Sequence, residues 1–284
     1  MPAPGDTANM ALFCDFENVA LGVRDAKYAK FDITKVLERL LLKGSIVVKK
    51  AYCDWERYKD FKADMHEASF ELIEIPHVRM SGKNSADIRM VVDALDLCYT
   101  KSHVDTFVII SGDSDFSPLV SKLRENDKTV IGVGVKNSSS DLLIANCDEF
   151  IYYDDLVREE EAKKRRAKKT SERAAKGAAK REGDAKKDAD DKKEGGRDGE
   201  AKRQEALELV VETVEALAAE RGEEEKIWGS MVKQALKRRN PGFNESYYGF
   251  SSFSKLLDEA ATRNMLQLEH DEKSGGYIVR SVAH

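Results

Sequence analysis

Strands alternating with helices over the first 155 residues predict an α/β protein: a parallel sheet in three layers, followed by a small helical domain. Three observations carry this. Residues 10–153 switch repeatedly between short apolar runs and a helical period. Residues 158–203 contain no Leu, Ile, Val, Met, Phe, Tyr or Trp. Residues 204–284 then recover amphipathic stretches and end in a hairpin pattern. The expected units are a domain at 10–155, a charged flexible linker at 158–203 and a winged-helix-like domain at 204–284.

In the first unit the run at 10–16 reads as a buried strand that ends in polar residues. Residues 32–43 open on Asp32 as a cap, and Ile33, Val36, Leu37, Leu40 and Leu41 follow at helical spacing. A strand at 45–53, a helix at 55–68 and a strand at 70–76, stopped by Pro76, come next. A helix at 85–100 has Ser85 as its cap. A strand at 104–112 precedes a helix at 114–126, whose Pro118 lies near enough to the start to be tolerated. A strand at 128–135, a short helix at 139–147 and a strand at 149–153 close the unit. Such alternation implies parallel pairing through right-handed crossovers, hence three layers.

The segment 158–203 cannot bury a core and reads as a spacer. Its first half favours helix and carries the basic run 163–169, which suits a non-specific nucleic-acid contact. Its second half, charged and Gly-containing, is expected to be disordered. Beyond it, helices are expected at 205–220, 226–240 and 251–264, with a hairpin at 265–281 turning at 273–276; three helices and a hairpin suggest a winged helix.

The chain has 284 residues, 35% of them charged and 41% hydrophobic, with a net charge of −5. No stretch approaches the ~20 apolar residues of a membrane span, so no membrane partner is expected. The start shows neither the basic nor the apolar region of a signal peptide. The four cysteines, Cys14, Cys53, Cys98 and Cys147, form no CxxC pair. Free thiols without an export signal point to the cytoplasm.

The chemistry lies in aspartates. Asp15 ends the first strand and Asp113 ends the strand at 104–112, and the carboxyl ends of parallel strands form the ligand crevice. Asp115 lies where the next helix begins. Asp87 sits in the first turn of the 85–100 helix, at the same end of the sheet. Converging carboxylates repel, and a cation between them relieves that repulsion; all-oxygen ligands favour Mg²⁺ or Mn²⁺. Asp15, Asp87 and Asp113 are the expected metal ligands and Asp115 a helper. Taking Ile88, Val91, Val92 and Leu95 as the buried stripe, Asp87 lies about 90° from its centre and Asp93 about 150°. Asp93 is therefore expected to face solvent or a neighbouring loop, outside the site. Asn18 either ties down the loop after Asp15 or contacts substrate. Arg79, Lys83 and Arg89 are candidates to meet phosphates. His77 reads as structural. No Ser/His/Asp order, Cys/His pairing, phosphate loop or dinucleotide turn is present.

DFEN (15–18), KNSADIRMVVDAL (83–95) and SGDSDFSPLV (111–120), in that order, resemble the NYN domain. This is a PIN-like ribonuclease group that includes the bacterial LabA-like proteins. The resemblance covers about residues 10–155. It implies a PIN-like (Rossmann-like) sheet in the order 3-2-1-4-5, with the first and fourth strands adjacent, and metal-dependent RNA cleavage. The family's acidic residues carry over onto Asp15, Asp87 and Asp113, with Asp115 as helper; Asp93 also matches a family pattern. Residues 240–260 followed by GGYIVR (275–280) resemble the LOTUS, or OST-HTH, domain. That implies RNA binding or, in some members, protein binding. Lys233, Lys237, Arg238 and Arg239 form a basic edge there, with Tyr247, Tyr248 and Phe250 near in sequence, a combination that suits RNA. The plain alternative is a solvated helix end with Phe250 and Phe253 in the core.

The expectation is a metal-dependent ribonuclease with a tethered RNA-binding module. Single-stranded RNA is its expected partner, because an open sheet edge admits a flexible strand more readily than a duplex. Two readings compete: a metal-dependent phosphatase acting on small esters, which would want a DxD pair where this chain has DFE, and a non-catalytic RNA-binding adaptor. A homo-oligomer and a protein partner for the C-terminal unit stay open.

Overall fold

The computed structural model describes residues 8–75, 85–161, 164, 196–221, 226–271 and 276–281. The chain divides into two compact units, 1–158 and 159–284.

The first unit is built on six strands: β1 (Ala8–Asp15), β2 (Gly44–Cys53), β3 (Glu71–Glu74), β4 (Thr106–Ile110), β5 (Thr129–Gly134) and β6 (Glu149–Tyr152). Every pairing is parallel, in the order β3-β2-β1-β4-β5-β6. The chain runs outward from β1 to β3, then crosses to the other side of β1 for β4. The switch point thus falls between β1 and β4, where Cys14 pairs with Ile110. In a parallel sheet that is where a ligand crevice opens, beyond the carboxyl ends of the strands.

Alternate residues of the strands feed two cores. Met10, Leu12, Cys14, Val108 and Ile110 face helices α1 (Phe16–Asp25) and α2 (Ile33–Leu41). Ala11, Phe13, Phe107 and Ile109 face α4 (Ser85–Thr100), α5 (Ser117–Glu125) and α6 (Asp141–Asn146). Strands buried on both faces read as unbroken apolar runs, as β4 (TFVII) does.

Several local outcomes differ from the sequence expectations. Helix α1 follows β1 directly, where no helix was expected; Asp15 caps it by accepting from the Asn18 N–H at 3.3 Å. The helix expected at 55–68 shrinks to a 3₁₀ turn, Lys59–Phe61, and a short α3, Lys62–Glu67. Trp55 is withdrawn into the core against Phe16, with ring centroids 4.9 Å apart, and its backbone N–H donates to Glu74 at 2.9 Å. That anchor holds 54–58 in turns. Pro118 sits in the first turn of α5, as tolerated there.

The largest correction concerns α4. Its buried residues are Met90, Ala94 and Cys98, whereas Ile88 is 63% and Val92 55% exposed. Small Ala94 and unbranched Met90 let the helix lie close on the sheet; Val91 and Leu95 pack at the edge of the core, and Ile88 and Val92 turn outward. Asp93 does not face solvent. Its side chain is 13% exposed, accepts from the Tyr52 hydroxyl at 3.0 Å, and pairs with Arg89 at 2.9 Å and Lys50 at 3.6 Å. It pins α4 to β2 from the flank of the buried stripe.

The second unit contains α7 (Gly196–Arg221), α8 (Gly229–Arg239) and α9 (Phe253–Thr262). An antiparallel sheet ordered β7-β9-β8 joins them, from β7 (Ile227–Trp228), β8 (Leu266–Asp271) and β9 (Gly276–Ser281). Val210, Val214, Leu236, Leu256, Leu257 and Val279 are among its core residues. Helix α7 starts within the segment expected to be disordered. Its polar first turns are held by tertiary contacts: Arg263 reaches Glu200 at 2.7 Å and Gln204 at 3.3 Å, and Arg203 donates to the Gly249 carbonyl at 3.1 Å. Residues 162–195 of the linker except Lys164 lie outside the described residues, as do residues 272–275 of the expected hairpin turn. Among the described residues no helix is long and apolar enough to cross a membrane. All four cysteines are buried free thiols.

The orientation of α4 is directly testable. Met90→Ala should cost about 2–4 kcal/mol in urea unfolding, as large-to-small core changes do. Val92→Ser should stay within about 0.5 kcal/mol of the parent, as exposed substitutions do. The reverse ranking would restore the stripe read from the sequence.

Candidate active site

The site begins with chain connectivity. Asp15 ends β1, and Ser111, Gly112 and Asp113 follow β4, its hydrogen-bonded neighbour. Ser111 is fully buried, and its hydroxyl donates to Asp15 Oδ2 at 2.9 Å. The hydroxyl oxygen of Ser111 also accepts from the Asp113 N–H at 3.2 Å. Asp113 in turn caps the 3₁₀ turn Ser114–Phe116, accepting from the Asp115 N–H at 2.9 Å. One chain of hydrogen bonds thus runs from Asp15 through Ser111 to Asp113 and Asp115.

Gly112 locks this loop. Its N–H donates to Asn18 Oδ1 at 2.9 Å, and its carbonyl accepts from the Ser140 N–H at 2.9 Å. A Cβ at Gly112 would meet the Ser138 carbonyl oxygen at 2.3 Å, so only glycine allows the 138–140 backbone to approach this closely. Asn18 therefore ties α1 to the loop after β4, not the loop after Asp15 that the sequence suggests, because a helix begins directly at residue 16.

Asp87 reaches the cluster along α4. It lies about 60° from Met90 and about 20° from Ala94 around the helix, in line with the buried stripe. A carboxylate thus continues an apolar face toward the carboxyl edge of the sheet. The neighbouring charges of Asp113, Asp115 and Glu17, after the larger effect of burial, raise its pKa. Asp15 is 6% exposed. Burial, then the charge of Asp87, raises its pKa from the ordinary 3.8 to about 7, although the bonds from Ser111 and Asn18 pull the other way. Asp113 is half-buried and Asp115 exposed.

All four expected carboxylates therefore stand at one edge of the sheet. Among the described residues no Lys or Arg pairs with any of them. The sequence reading missed two residues of this edge. Glu17, in DFEN, acts electrostatically on Asp87 and pairs with Arg57 at 3.2 Å. Ser111 is the first residue of SGDSD; its place directly after an apolar strand was the available signal. Arg89 turns to Asp93 instead of the cluster. Arg79 and Lys83 lie outside the described residues.

The donor set is all oxygen, mutually repelling and, among the described residues, without a cationic partner, a chemistry that fits a hard divalent ion. Among the described residues no group of three or more His, Cys, Asp or Glu side chains is arranged to hold a metal ion.

In the second unit, Arg238 and Arg239 are exposed at the end of α8, and Lys237 is half-buried beside them. Cations there complement the helix dipole, and Arg239 donates to the Glu212 carbonyl at 3.4 Å. Lys233 pairs with Glu245 at 2.6 Å. Tyr248 stacks on Phe243 at 5.2 Å, Tyr247 meets Tyr248 edge-on at 4.9 Å, and Lys202 lies 5.2 Å from the Tyr247 ring centre. Phe250 and Phe253 are core residues.

A parallel α/β sheet with an acidic crevice at its switch point defines the class: a PIN-like domain of nuclease type. The chain belongs to the NYN domain family, which matches residues 9–154. An uncharacterized protein of Methanocaldococcus jannaschii is 31% identical over 121 residues, 41% of this chain and 45% of the relative. The match thus spans less than half of that relative's length. A crystal structure of a protein of unknown function from Vibrio parahaemolyticus superposes with a TM-score of 0.48 at 26% identity, covering 55% of this chain and 98% of that one.

The raised Asp15 pKa has a consequence for stability. Its folded value lies above its unfolded one, so the folded state holds the proton more tightly. Without divalent ions, stability should fall as pH rises from about 4 toward 7, a loss specific to the folded cluster. Asp15→Asn should flatten that fall and raise the melting temperature at pH 8, read by thermal unfolding in EDTA. An equal pH dependence in parent and variant would mean that Asp15 titrates normally.

Proposed function

We propose that this protein is a divalent-metal-dependent ribonuclease whose second, LOTUS-like unit holds RNA near the cleavage site. The observation that carries the reading is the group of Asp15, Asp87 and Asp113, without a Lys or Arg partner among the described residues, at the switch point of an NYN-family sheet. These three would hold Mg²⁺ or Mn²⁺, and Asp115 would assist from its exposed position. A divalent ion in this place supplies a Lewis acid that acidifies water and offsets charge on the phosphate.

The chain's own residues do the rest. Ser111 fixes the Asp15 carboxylate, Asn18 and Ser140 fix the loop that carries Asp113, and Met90 and Ala94 seat the helix that aims Asp87. Because these groups hang on strands and on hydrogen-bonded turns, they keep their positions without substrate. The open edge admits a flexible single strand. In the second unit, Lys237, Arg238 and Arg239 would meet phosphates, and Tyr247 and Tyr248 would present ring surface.

Incubating labelled single-stranded RNA and a small phosphate ester with the full chain, with and without Mn²⁺, tests the reading. Metal-dependent RNA cleavage without ester hydrolysis is the expected result. Asp113→Asn should reduce cleavage about 100-fold or more, beyond the effect of losing an outer partner, with the fold retained. Ester hydrolysis alone would make the protein a phosphatase; RNA binding without any hydrolysis would make it an adaptor.

The second unit has its own test. Arg238→Glu with Arg239→Glu in the full chain should weaken RNA binding and flatten its salt dependence by about 0.7 in log–log slope for each phosphate no longer neutralised. Unchanged affinity and slope would reassign this edge to protein recognition or to plain solvation.

A further inference from the structure

Beside the carboxylates lies a groove that the cluster itself does not use. Its floor is Ile88, Val91, Val92, Pro118 and Leu142, and Asp87 and Asp115 form part of its wall. Ile88 is 63% exposed, Val92 55% and Leu142 58%. Large aliphatic side chains gathered in water mark a surface that something covers. The groove measures about 730 Å³, within the range of small-molecule sites.

We infer that this groove seats an unpaired nucleobase of the substrate strand, next to the phosphate that faces the carboxylates. The inference rests on the nuclease reading and deepens it. Four observations favour this occupant. The groove shares Asp87 and Asp115 with the cluster, so a strand whose phosphate lies there places its adjacent nucleoside over Ile88 and Val92. Among the described residues none that lines the groove is Lys or Arg, so these residues offer a second phosphate no counter-charge. A neutral planar ring suits it: methyl groups cover the faces, and carboxylate oxygens accept from amino N–H groups on the edge. Ser117, also on the wall, has a buried hydroxyl with no hydrogen-bond partner, which a base edge can supply.

The seat has a consequence for selectivity. In a duplex both faces of a base are stacked and its edge is paired, so only an unpaired base can enter. Preference for single strands then arises from the groove as well as from the open sheet edge.

Methyl NMR of the full chain tests this without requiring cleavage. The Ile88, Val91, Val92 and Leu142 methyls are followed during titration with a short single-stranded RNA and with the same backbone made abasic, both in Mg²⁺ with a non-cleavable phosphate. The expected result is movement of these methyls by the base-bearing strand and not by the abasic one. In Ile88→Asn with Val92→Asn, both exposed positions, the affinity read from Val91 and Leu142 should fall about tenfold for the base-bearing strand and not for the abasic one. Methyls that ignore both strands, or respond to both equally, overturn the proposal. So does movement on raising the protein concentration alone, which would give the groove to a second copy. If the methyls respond as expected but RNA is not cleaved with Mn²⁺, the base seat stands and the nuclease reading falls. If RNA is cleaved and the methyls stay still, the reverse holds.

Discussion

The structure of the first unit turns on one costly placement: a carboxylate, Asp15, buried at the end of a parallel strand beside other carboxylates. An isolated charge in such a position neutralises or finds a partner. Among the described residues the partners are a hydroxyl and a backbone N–H, and burial raises the carboxyl pKa to about 7. The surrounding groups fix its position, and the bonds from Ser111 and Asn18 favour the ionised form against the larger effect of burial. Ser111 is fully buried to reach it, Gly112 has no side chain so that the 138–140 segment can close over the loop, and Asn18 bridges the two strand ends.

Topology decides that these groups meet. Residues 15 and 113 are distant in sequence but adjacent in space because β4 returns beside β1. Asp87 joins them because α4 begins at the same edge and carries its acid in line with Met90 and Ala94. The opposite face of α4 then becomes informative. Once the small and unbranched residues take the core, Ile88 and Val92 remain in water next to the cluster, and an acidic crevice acquires an apolar shoulder.

Much of this was legible in the sequence. Helix alternation and the convergence of four aspartates follow from apolar runs with acids at their ends. The resemblance carried by DFEN, SADIR and SGDSD added the strand order and the family. Other features were not legible, for physical reasons. The periodicity of α4 fits two faces, since Ile88, Val91, Val92 and Leu95 form as good a stripe as Met90, Ala94 and Cys98. Side-chain shape against a close sheet chose between them. Asp93 followed that choice and moved from expected solvent to a clamp on Tyr52. The first turns of α7 have no apolar pattern; Arg263 and Arg203 hold them through polar contacts that periodicity does not register. Helix α1 was hidden because its cap, Asp15, was read only as a ligand.

The central claim is that the carboxylates form a strained, cation-seeking group, and the Asp15 titration measures it. Carboxyl ¹³C NMR of the full chain, resolved at Asp15, gives its midpoint with and without Mg²⁺. The midpoint should lie near 7 without the ion and fall markedly when Mg²⁺ is saturating. A midpoint near 3.8 without metal, or one that Mg²⁺ leaves unmoved, would contradict this claim.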